Sequence, residues 1–396
     1  MAVKPDTRRT IRHAVEQYYA IRKTRGIAFS PDGAELAFIT NTTGTGEVWR
    51  VSTQGGWPHQ LTISGRNVAQ ISWGSDPDQL VYLADREGDE NYELFLLSRR
   101  GGMPVPLTTA AGTQSHFGDW SPDGKQIAYS SNKRDPAHFD VYVVDSESGA
   151  ERMLWQDNHA NMVLSWSPCG RYLAVQQFEQ NANQDLYLLT MASGEACYLT
   201  PHEGLVRHCG GVWEPDGEGF LFLTDHGRDF MGLARMDIAS RGWKYLETPA
   251  SDITEVALSR DGRWLALTVN REGNLNLEVK DRLRDRVLDL TEFQQGVTSE
   301  LTFSRHGDQF AFYHESACRA RDLWVIDLPD ASVQRGCLCV PDYRQVTFSM
   351  IGGIPPEELC MPQVVSYRSF DGLEIPAFLF VPRGGKPDGT LPAVLW

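Results

Sequence analysis

Trp120-Ser121-Pro122-Asp123-Gly124 is the stretch that decides the fold, because it recurs along the chain at a nearly constant interval. Three close copies are Phe29-Ser30-Pro31-Asp32-Gly33, Trp166-Ser167-Pro168-Cys169-Gly170 and Trp213-Glu214-Pro215-Asp216-Gly217, and three weaker copies begin at Trp73, Leu258 and Phe303. The first residues of the seven copies, which we call the anchors, are spaced by 44, 47, 46, 47, 45 and 45 residues. Such a period is typical of repeat architectures.

Each unit contains the same series of strand signals. Pro, Asp and Gly after the anchor predict a tight turn, and an alternating strand follows, as in Glu35-Leu36-Ala37-Phe38-Ile39. A later strand resembles Asp140-Val141-Tyr142-Val143-Val144, and a short fourth strand often ends in Leu-Thr, as at Leu61-Thr62, Leu107-Thr108, Leu199-Thr200 and Leu290-Thr291. Four strands repeated seven times predict an all-β fold, a seven-bladed β-propeller over residues 25–349. A solenoid is a poorer interpretation, because solenoid repeats of this length are mostly helical.

The repeated tryptophan has two interpretations, an aromatic ligand cage or a packing residue. A residue that occupies one fixed place in every blade is expected to pack between adjacent blades. Residues with a specific function should instead break the repeat. We therefore predict that the anchors are buried between blades.

Composition and charge exclude several classes of protein. The chain has 396 residues, 41% of them apolar and 22% charged, and it has no run of eighteen apolar residues that could span a membrane. The net charge is −15, although the first 25 residues hold seven Lys or Arg against two Asp or Glu. An acidic body argues against nucleic acid or an anionic membrane as the main partner.

Cysteine and histidine patterns give no sign of a metal or a cofactor. The seven cysteines are scattered, and Cys337-x-Cys339 is not a zinc spacing. His13, His59 and His138 have no metal-like spacing either. We expect reduced thiols in a cytoplasmic protein, because no apolar signal-peptide core follows the basic N-terminus.

Two segments lie outside the repeat. In residues 1–24, Thr7 can cap a helix that has Ile11, Val15 and Tyr18 on one face. Residues 350–396 contain a predicted strand from Val364 to Ser369, an Asp371-Gly372 hairpin turn and a partner strand from Leu373 to Val381. Pro392-Ala393-Val394-Leu395-Trp396 begins a further apolar strand, so we expect that the sequence stops inside a second domain.

The seven turns together with residues 365–382, VSYRSFDGLEIPAFLFVP, resemble the prolyl oligopeptidase family of serine peptidases, and the acylaminoacyl-peptidase branch in particular. Asp85-Arg86-Glu87-Gly88-Asp89-Glu90-Asn91 is also similar to that branch. The resemblance implies that residues 350–396 are a linker and the first strands of a truncated α/β-hydrolase domain. It further implies a His-Gly-Gly oxyanion turn and then Ser, Asp and His in that order. The sequence has no Gly-x-Ser-x-Gly, so we expect this chain alone not to hydrolyse peptides.

Propeller geometry predicts where that domain meets the ring. The turns after the anchors share one face, here called the turn face. The connections between second and third strands share the other, the loop face, with both chain ends. We predict loops at residues 85–91, 132–139, 178–184, 225–231, 270–274 and 315–321, which look toward the active site. The candidates for lining a substrate chamber are Arg86, Glu87, Arg134, Glu179, His226, Arg228, Arg271 and Arg319; otherwise they are solvated charges or salt bridges between domains.

Two functions from different classes remain. The first is a non-catalytic propeller that selects substrates for a peptidase acting on short peptides, of acylaminoacyl-peptidase or dipeptidyl-peptidase type. Its partners would be short peptides and the missing hydrolase domain or a second copy of the chain. The second is a scaffold for protein interactions, like TolB-like or WD-repeat propellers. A propeller enzyme such as a lactonase is a third possibility, but it needs a central metal with convergent carboxylates or histidines. The hydrolase-like tail favours the first function.

Overall fold

The turn motif closes on itself through its serine and aspartate. The computed structural model describes residues 13–108, 112–329, 340–382 and 394–395. In the first blade, Ser30 Oγ lies 2.5 Å from a carboxylate oxygen of Asp32 and accepts the N–H of Glu35 at 2.9 Å. Gly33 donates its N–H to Ser30 O and has a φ of 71°, which explains the glycine. Ser121 and Ser259 make the same bonds to Asp123 and Asp261.

Seven antiparallel blades of four strands follow one another along the chain, and one parallel bridge joins blade 3 to blade 4 (Phe139 to Ala160) and another joins blade 6 to blade 7 (Leu275 to Val297). Blades 1 to 4 contain β1 Thr24–Phe29, β2 Glu35–Thr40, β3 Glu47–Ser52, β4 His59–Gln60; β5 Val68–Trp73, β6 Gln79–Ala84, β7 Glu93–Ser98, β8 Val105–Pro106; β9 Ser115–Trp120, β10 Gln126–Asp135, β11 His138–Asp145, β12 Glu151–Trp155; and β13 Ala160–Trp166, β14 Tyr172–Gln180, β15 Asn183–Thr190, β16 Ala196–Tyr198. Blades 5 to 7 contain β17 His208–Trp213, β18 Gly219–Thr224, β19 Gly232–Asp237, β20 Trp243–Glu247; β21 Ile253–Leu258, β22 Trp264–Arg271, β23 Asn274–Asp281, β24 Arg286–Val287; and β25 Val297–Phe303, β26 Gln309–Ser316, β27 Arg319–Asp327, β28 Asp342–Gln345. The predicted seven-bladed propeller is therefore confirmed.

Each pair of adjacent blades encloses one apolar cluster, and an anchor belongs to each cluster. Trp73 packs with Ile39 of blade 1 and Tyr82 of blade 2, and Trp120 packs with Leu83 of blade 2 and Tyr129 of blade 3. The four anchor tryptophans are only 6% to 9% exposed, which confirms the predicted packing role. Phe29, Leu258 and Phe303 are partly buried at the equivalent places.

The threonine of the Leu-Thr signal ties the outermost strand to the third strand. Thr62, Thr108 and Thr200 each accept, at 2.9 to 3.0 Å, the N–H of a residue of the third strand in their own blade, Val48, Leu94 and Leu186 respectively. Thr347 makes this bond in blade 7. Leu290-Thr291 was expected to be a further copy and is not one. Thr291 begins a 3-10 helix, Thr291–Phe293, and bonds to Asp289 instead.

Blade 7 closes on blade 1 without a shared strand, because each of these blades takes all four strands from one part of the chain. Leu36 and Phe38 pack against Tyr313 and Val325 across this junction. Thr24 Oγ1 donates to Arg321 O at 2.8 Å, and Tyr313 OH donates to Gly26 O at 3.0 Å.

The flanking segments contact each other. The helix α1, Val15–Tyr19, is short, and the predicted helix positions Thr7 and Ile11 lie outside the described residues. Gln17 donates to Gly352 O at 3.2 Å and the N–H of Arg22 to Met350 O at 2.8 Å. After a 3-10 helix at Pro356–Glu358, β29 Gln363–Arg368 pairs with β30 Glu374–Leu379 as the predicted hairpin. Of the predicted strand at residues 392–396, only Val394 and Leu395 are described, outside any strand.

In the part of the chain that the structure describes, no helix is both long enough and apolar enough to cross a bilayer.

Replacing Trp120 or Trp166 by alanine should lower the free energy of unfolding by about 3–5 kcal/mol, because each change leaves a large cavity between blades. Urea denaturation followed by circular dichroism measures the loss. Trp57 is the matched control, since it is 86% exposed and its replacement by alanine should have little effect. Equal stability of the three variants would contradict the packing role.

Candidate functional site: the loop face and the central channel

Both flanking segments lie beside connections of the loop face. The N–H of Lys23 donates to Asn41 Oδ1 at 3.0 Å in the loop 41–46 of blade 1. A Cβ added to Gly273, in the turn between β22 and β23, would meet the ring of Phe378 at 2.8 Å. The hairpin β29–β30 thus reaches the face on which the candidate residues were predicted.

The loop face is less uniform than predicted. Blades 1, 2 and 5 carry longer loops, 41–46, 85–92 and 225–231. In blades 3, 4, 6 and 7 the second and third strands continue until only two residues connect them. The predicted loops 132–139, 178–184, 270–274 and 315–321 are therefore mostly strand, because cross-strand pairing extends to the end of each hairpin.

Arg86 and Glu87 line an open pocket in the longer loop of blade 2. Arg86 Nη2 contacts the buried carboxylate of Glu93 at 3.2 Å, and Arg66 Nη1 contacts the same carboxylate at 3.3 Å. The loop is tightly bent, because Glu87 has a φ of 56° and Glu90 a φ of 58°. Two guanidinium groups share one carboxylate here, and Glu87 and Asp89 line the same pocket, so the pocket presents charges of both signs.

Four other candidates lie on the extended hairpins and pair with side chains close to them. Arg134 contacts both carboxylate oxygens of Asp140, at 2.6 and 3.0 Å, and Asn183 donates a hydrogen bond to Glu179. Arg271 contacts Glu278 at 2.7 Å, and Arg319 contacts Glu292 at 2.6 Å. The interpretation as structural ion pairs or hydrogen bonds fits these four residues.

His226 and Arg228 meet in the loop of blade 5 around Tyr245. The Tyr245 hydroxyl donates to His226 O at 2.8 Å, and the Arg228 guanidinium lies 5.3 Å from the centre of the Tyr245 ring. Arg228 also donates to Pro249 O at 2.7 Å. Among the eight candidates, described contacts join no two residues of different loops.

A ring of polar side chains around the central channel escaped the sequence analysis. The acceptors in one blade bind backbone N–H groups of the next: Gln70 binds Phe117, Asp119 binds Trp166, Gln176 binds Gly210, Glu255 binds Leu301 and Glu300 binds Gly26, at 2.6 to 3.2 Å. A sequence signal existed, because Gln70, Glu255 and Glu300 each precede their anchor by three residues. Burial raises the pKa of Asp119 to about 6 and also raises the pKa of Glu255.

All seven anchors border one end of this channel, on the turn face. They enclose a cavity of about 590 Å³ together with the neighbouring turn residues. The anchor side chains thus form both the packing between blades and the rim of the channel.

A buried histidine cluster lies in blade 5 and beside it. The His208 ring centre lies 5.4 Å from that of His202 and 5.9 Å from that of His226, and Trp243 packs against His208. His202 Nε2 lies 3.1 Å from Asp185. Burial, together with the nearby His202 and His226, lowers the pKa of His208 to about 3. The search for metal sites, restricted to the residues that the structure describes, finds no suitable group of His, Cys, Asp and Glu.

Residues 117–335 match the family described as PD40, the TolB beta propeller domain. Dipeptidyl aminopeptidase BIII of Pseudoxanthomonas mexicana is 27% identical over 221 residues, which are 54% of this chain and 32% of the relative. The uncharacterized peptidase YuxL of Bacillus subtilis is 25% identical over 204 residues, 50% of this chain and 29% of the relative. The chain therefore spans about a third of the length of these relatives.

Solved structures support the fold at low sequence identity. A chain from a structural and mechanistic study of two prolyl endopeptidases superimposes with a TM-score of 0.74 at 14% identity, covering 95% of this chain and 57% of the other. An oligogalacturonate lyase in complex with manganese gives a TM-score of 0.63 at 14% identity, covering 78% of this chain and 91% of the lyase.

Replacing His208 by phenylalanine should weaken the pH dependence of stability. Because the folded pKa lies below the unfolded value, the unfolded chain binds the proton first, and stability falls as the pH drops below about 6.5. Between pH 7.5 and pH 5 the natural chain should lose about 2 kcal/mol that the variant keeps. Urea denaturation at both pH values measures this difference.

His59 is the matched control, because it is exposed and lies outside the cluster. His59→Phe should leave the pH dependence as in the natural chain. Asp119 and Asp322 act in the opposite direction, because burial raises the pKa of each to about 6. Their contribution is common to all three proteins, so an unchanged pH dependence in His208→Phe would contradict the prediction.

Proposed function

Because this chain belongs to the TolB β-propeller domain family and is a propeller of the prolyl oligopeptidase family, we propose that it selects substrates for a serine peptidase that cleaves short peptides. In this role the propeller itself breaks no bond. The absence of Gly-x-Ser-x-Gly from the 396 residues supports the non-catalytic role.

The observation that carries this proposal is the closed ring with a hairpin on its loop face. The inner strands surround a central channel and are bonded from blade to blade, and a ring closed in this way favours the passage of an extended peptide over that of a folded protein. The hairpin β29–β30 contacts Gly273 on the loop face. A catalytic domain on that face would receive only what reaches it past the ring.

The name of the Pseudoxanthomonas relative bears on specificity. Of the two types that the resemblance leaves open, dipeptidyl-peptidase and acylaminoacyl-peptidase, the name dipeptidyl aminopeptidase favours the first. The pocket lined by Arg86, Glu87 and Arg66, which contains two guanidinium groups, is then the best placed candidate on the loop face for a peptide carbonyl or carboxylate. We also place the protein in the cytoplasm, since the described cysteines Cys169, Cys197, Cys209 and Cys360 are free thiols.

Selective peptide binding is the expected result. A short dansylated peptide should bind the chain, and the same sequence held in a loop of a folded carrier protein should not, as measured by fluorescence anisotropy and competition. Ser72→Trp, which narrows the channel, should weaken peptide binding, whereas Ser52→Trp, at the exposed last position of β3, should not. A serine-directed fluorophosphonate probe should leave the chain unlabelled.

Three results would contradict the proposed function. Equal affinity for the free peptide and the folded carrier would favour the alternative, a scaffold that binds proteins. Equal peptide binding by Ser72→Trp and Ser52→Trp would show that the peptide does not bind in the channel. Stoichiometric labelling of a serine would make the chain itself an enzyme.

A hydrolase sheet is the partner that we propose for the hairpin. Every residue of β29 is exposed, and in β30 Phe378 and Leu379 are 42% and 41% exposed. An isolated hairpin with apolar faces is marginally stable in water, and its free edge recruits further strands. The match to only about a third of the Pseudoxanthomonas and Bacillus relatives is consistent with a larger partner domain.

The chain by itself should therefore self-associate through this hairpin. Light scattering after size-exclusion chromatography should show higher-mass species for the full chain and a monomer for a version ending at Ser349. Val364→Lys combined with Tyr367→Lys should also give a monomer, because both side chains are exposed on β29. If the full chain is monomeric and its hairpin resists protease, the hairpin is covered within one chain and the prediction is wrong.

A further inference from the structure

Two turns break the repeat at the rim of the channel. The residue after Ser in the motif is proline in four blades, Pro31, Pro122, Pro168 and Pro215, and Ser75 in blade 2. Blades 6 and 7 have Arg260 and Arg305 at this position. The backbone of the turn is unchanged, since Gly262 and Gly307 donate to Ser259 and Ser304 as in the other blades.

Both arginines border the cavity of about 590 Å³ that the anchors enclose. They lie on adjacent blades at equivalent positions, so they occupy one side of the rim, and the Pro and Trp residues of blades 3 to 5 occupy the other. The rim therefore has one cationic side and one side formed by proline and tryptophan rings.

Neither guanidinium has an ion pair or a hydrogen bond to any residue that the structure describes. The contrast within blade 6 is sharp, because Arg263, Arg284 and Arg286 all face the carboxylate of Asp281, and Arg282 contacts Glu214 at 2.8 Å. Asp119 also borders the cavity, but its carboxylate already accepts the N–H groups of Trp120 and Trp166, both at 2.8 Å.

We propose that Arg260 and Arg305 form a carboxylate-binding site at the turn-face mouth of the channel, where they capture the C-terminal carboxylate or an acidic side chain of a peptide. The choice of a peptide as the ligand rests on the proposed function. Arginine pairs suit carboxylates, because each guanidinium offers a planar set of N–H donors.

Electrostatics supports the same assignment. Burial lowers the pKa of Arg305, and the nearby charge of Arg260 lowers it further. Two close cations in a protein with a net charge of −15 are thus left unneutralised, and a bound anion would relieve their repulsion. The remaining wall, with the rings of Trp166, Trp213 and Phe303, can cover the apolar part of a peptide.

Three dansylated peptides on the full chain distinguish the two sources of carboxylate. They share one neutral sequence and end in a free carboxylate, in an amide, or in an amide with one internal glutamate. Fluorescence anisotropy at low salt should show the free carboxylate binding at least about tenfold more tightly than the neutral amide, as expected for a charge-assisted contact. Binding of the glutamate peptide shows that a side chain is accepted, and its failure limits the site to the C-terminus.

The variants replace the arginines by residues that the repeat itself uses. Arg260→Pro with Arg305→Pro, and separately Arg260→Ser with Arg305→Ser, should bind all three peptides as weakly as the natural chain binds the amide. Circular dichroism melting verifies that at least one of the pairs is folded. Arg100→Ser is the matched control, because Arg100 is a largely exposed arginine outside the cavity, and it should keep the preference.

The proposal fails if the folded double variant still prefers the carboxylate, or if the amide binds the natural chain as tightly as the acid. It also fails if inorganic phosphate displaces the peptide at lower concentration than acetate does, since the site would then be one for phosphate. A channel that admits peptides without this preference would leave the proposed function intact and overturn only the arginine site.

Discussion

Closure of blade 7 on blade 1 is the constraint on which the rest of the structure depends, because a ring with six good junctions and one open one has no defined channel. No strand is shared across this junction, so side chains must hold it. Glu300 has a φ of 55°, a conformation that side-chain-bearing residues adopt rarely. In that position its carboxylate accepts the N–H of Gly26 and a guanidinium N–H of Arg321, both at 2.6 Å. The backbone strain is offset by two charge-assisted bonds, and the one from Gly26 joins the two ends of the ring.

Most of the fold could be predicted from the sequence, because its interactions are local or repeated. The turn signal needs only Ser, Pro, Asp and Gly within five residues, and the constant spacing of the anchors gives the number of blades. Cys169 shows how far the turn tolerates change. Burial raises the pKa of this thiol, but hydrogen bonds with Ser167 and Arg171 outweigh that effect and lower the pKa to about 7. The sulfur therefore takes the place that the aspartate carboxylate has in the other turns. Leu290-Thr291 was wrongly predicted to be a copy of the Leu-Thr signal. Two residues alone do not show whether a third strand lies within hydrogen-bond distance of the threonine.

The candidate site was less accessible to prediction, because the sequence does not show where a hairpin ends. Arg134 was assigned to a loop, yet the carboxylate of Asp140 across the turn keeps it in a strand. Arg86 was correctly placed in a loop, but only the folded chain brings Arg66 of the preceding crossing to the same Glu93. Departures from the repeat are the more reliable guide, since a residue that packing does not require is free to serve another purpose.

The two mouths of the channel then differ in kind. The loop-face mouth is built from connections of unequal length, and most of its charges are neutralised by neighbours in the same blade. The turn-face mouth is built from the most regular element of the chain. Two changed residues, Arg260 and Arg305, are therefore enough to make one side of this mouth cationic. Buried groups such as Asp119 between the mouths already bind backbone N–H groups and offer a passing peptide few free charges. A channel that recognises the peptide at its two mouths and has few free charges between them would admit an extended peptide without holding it along the way.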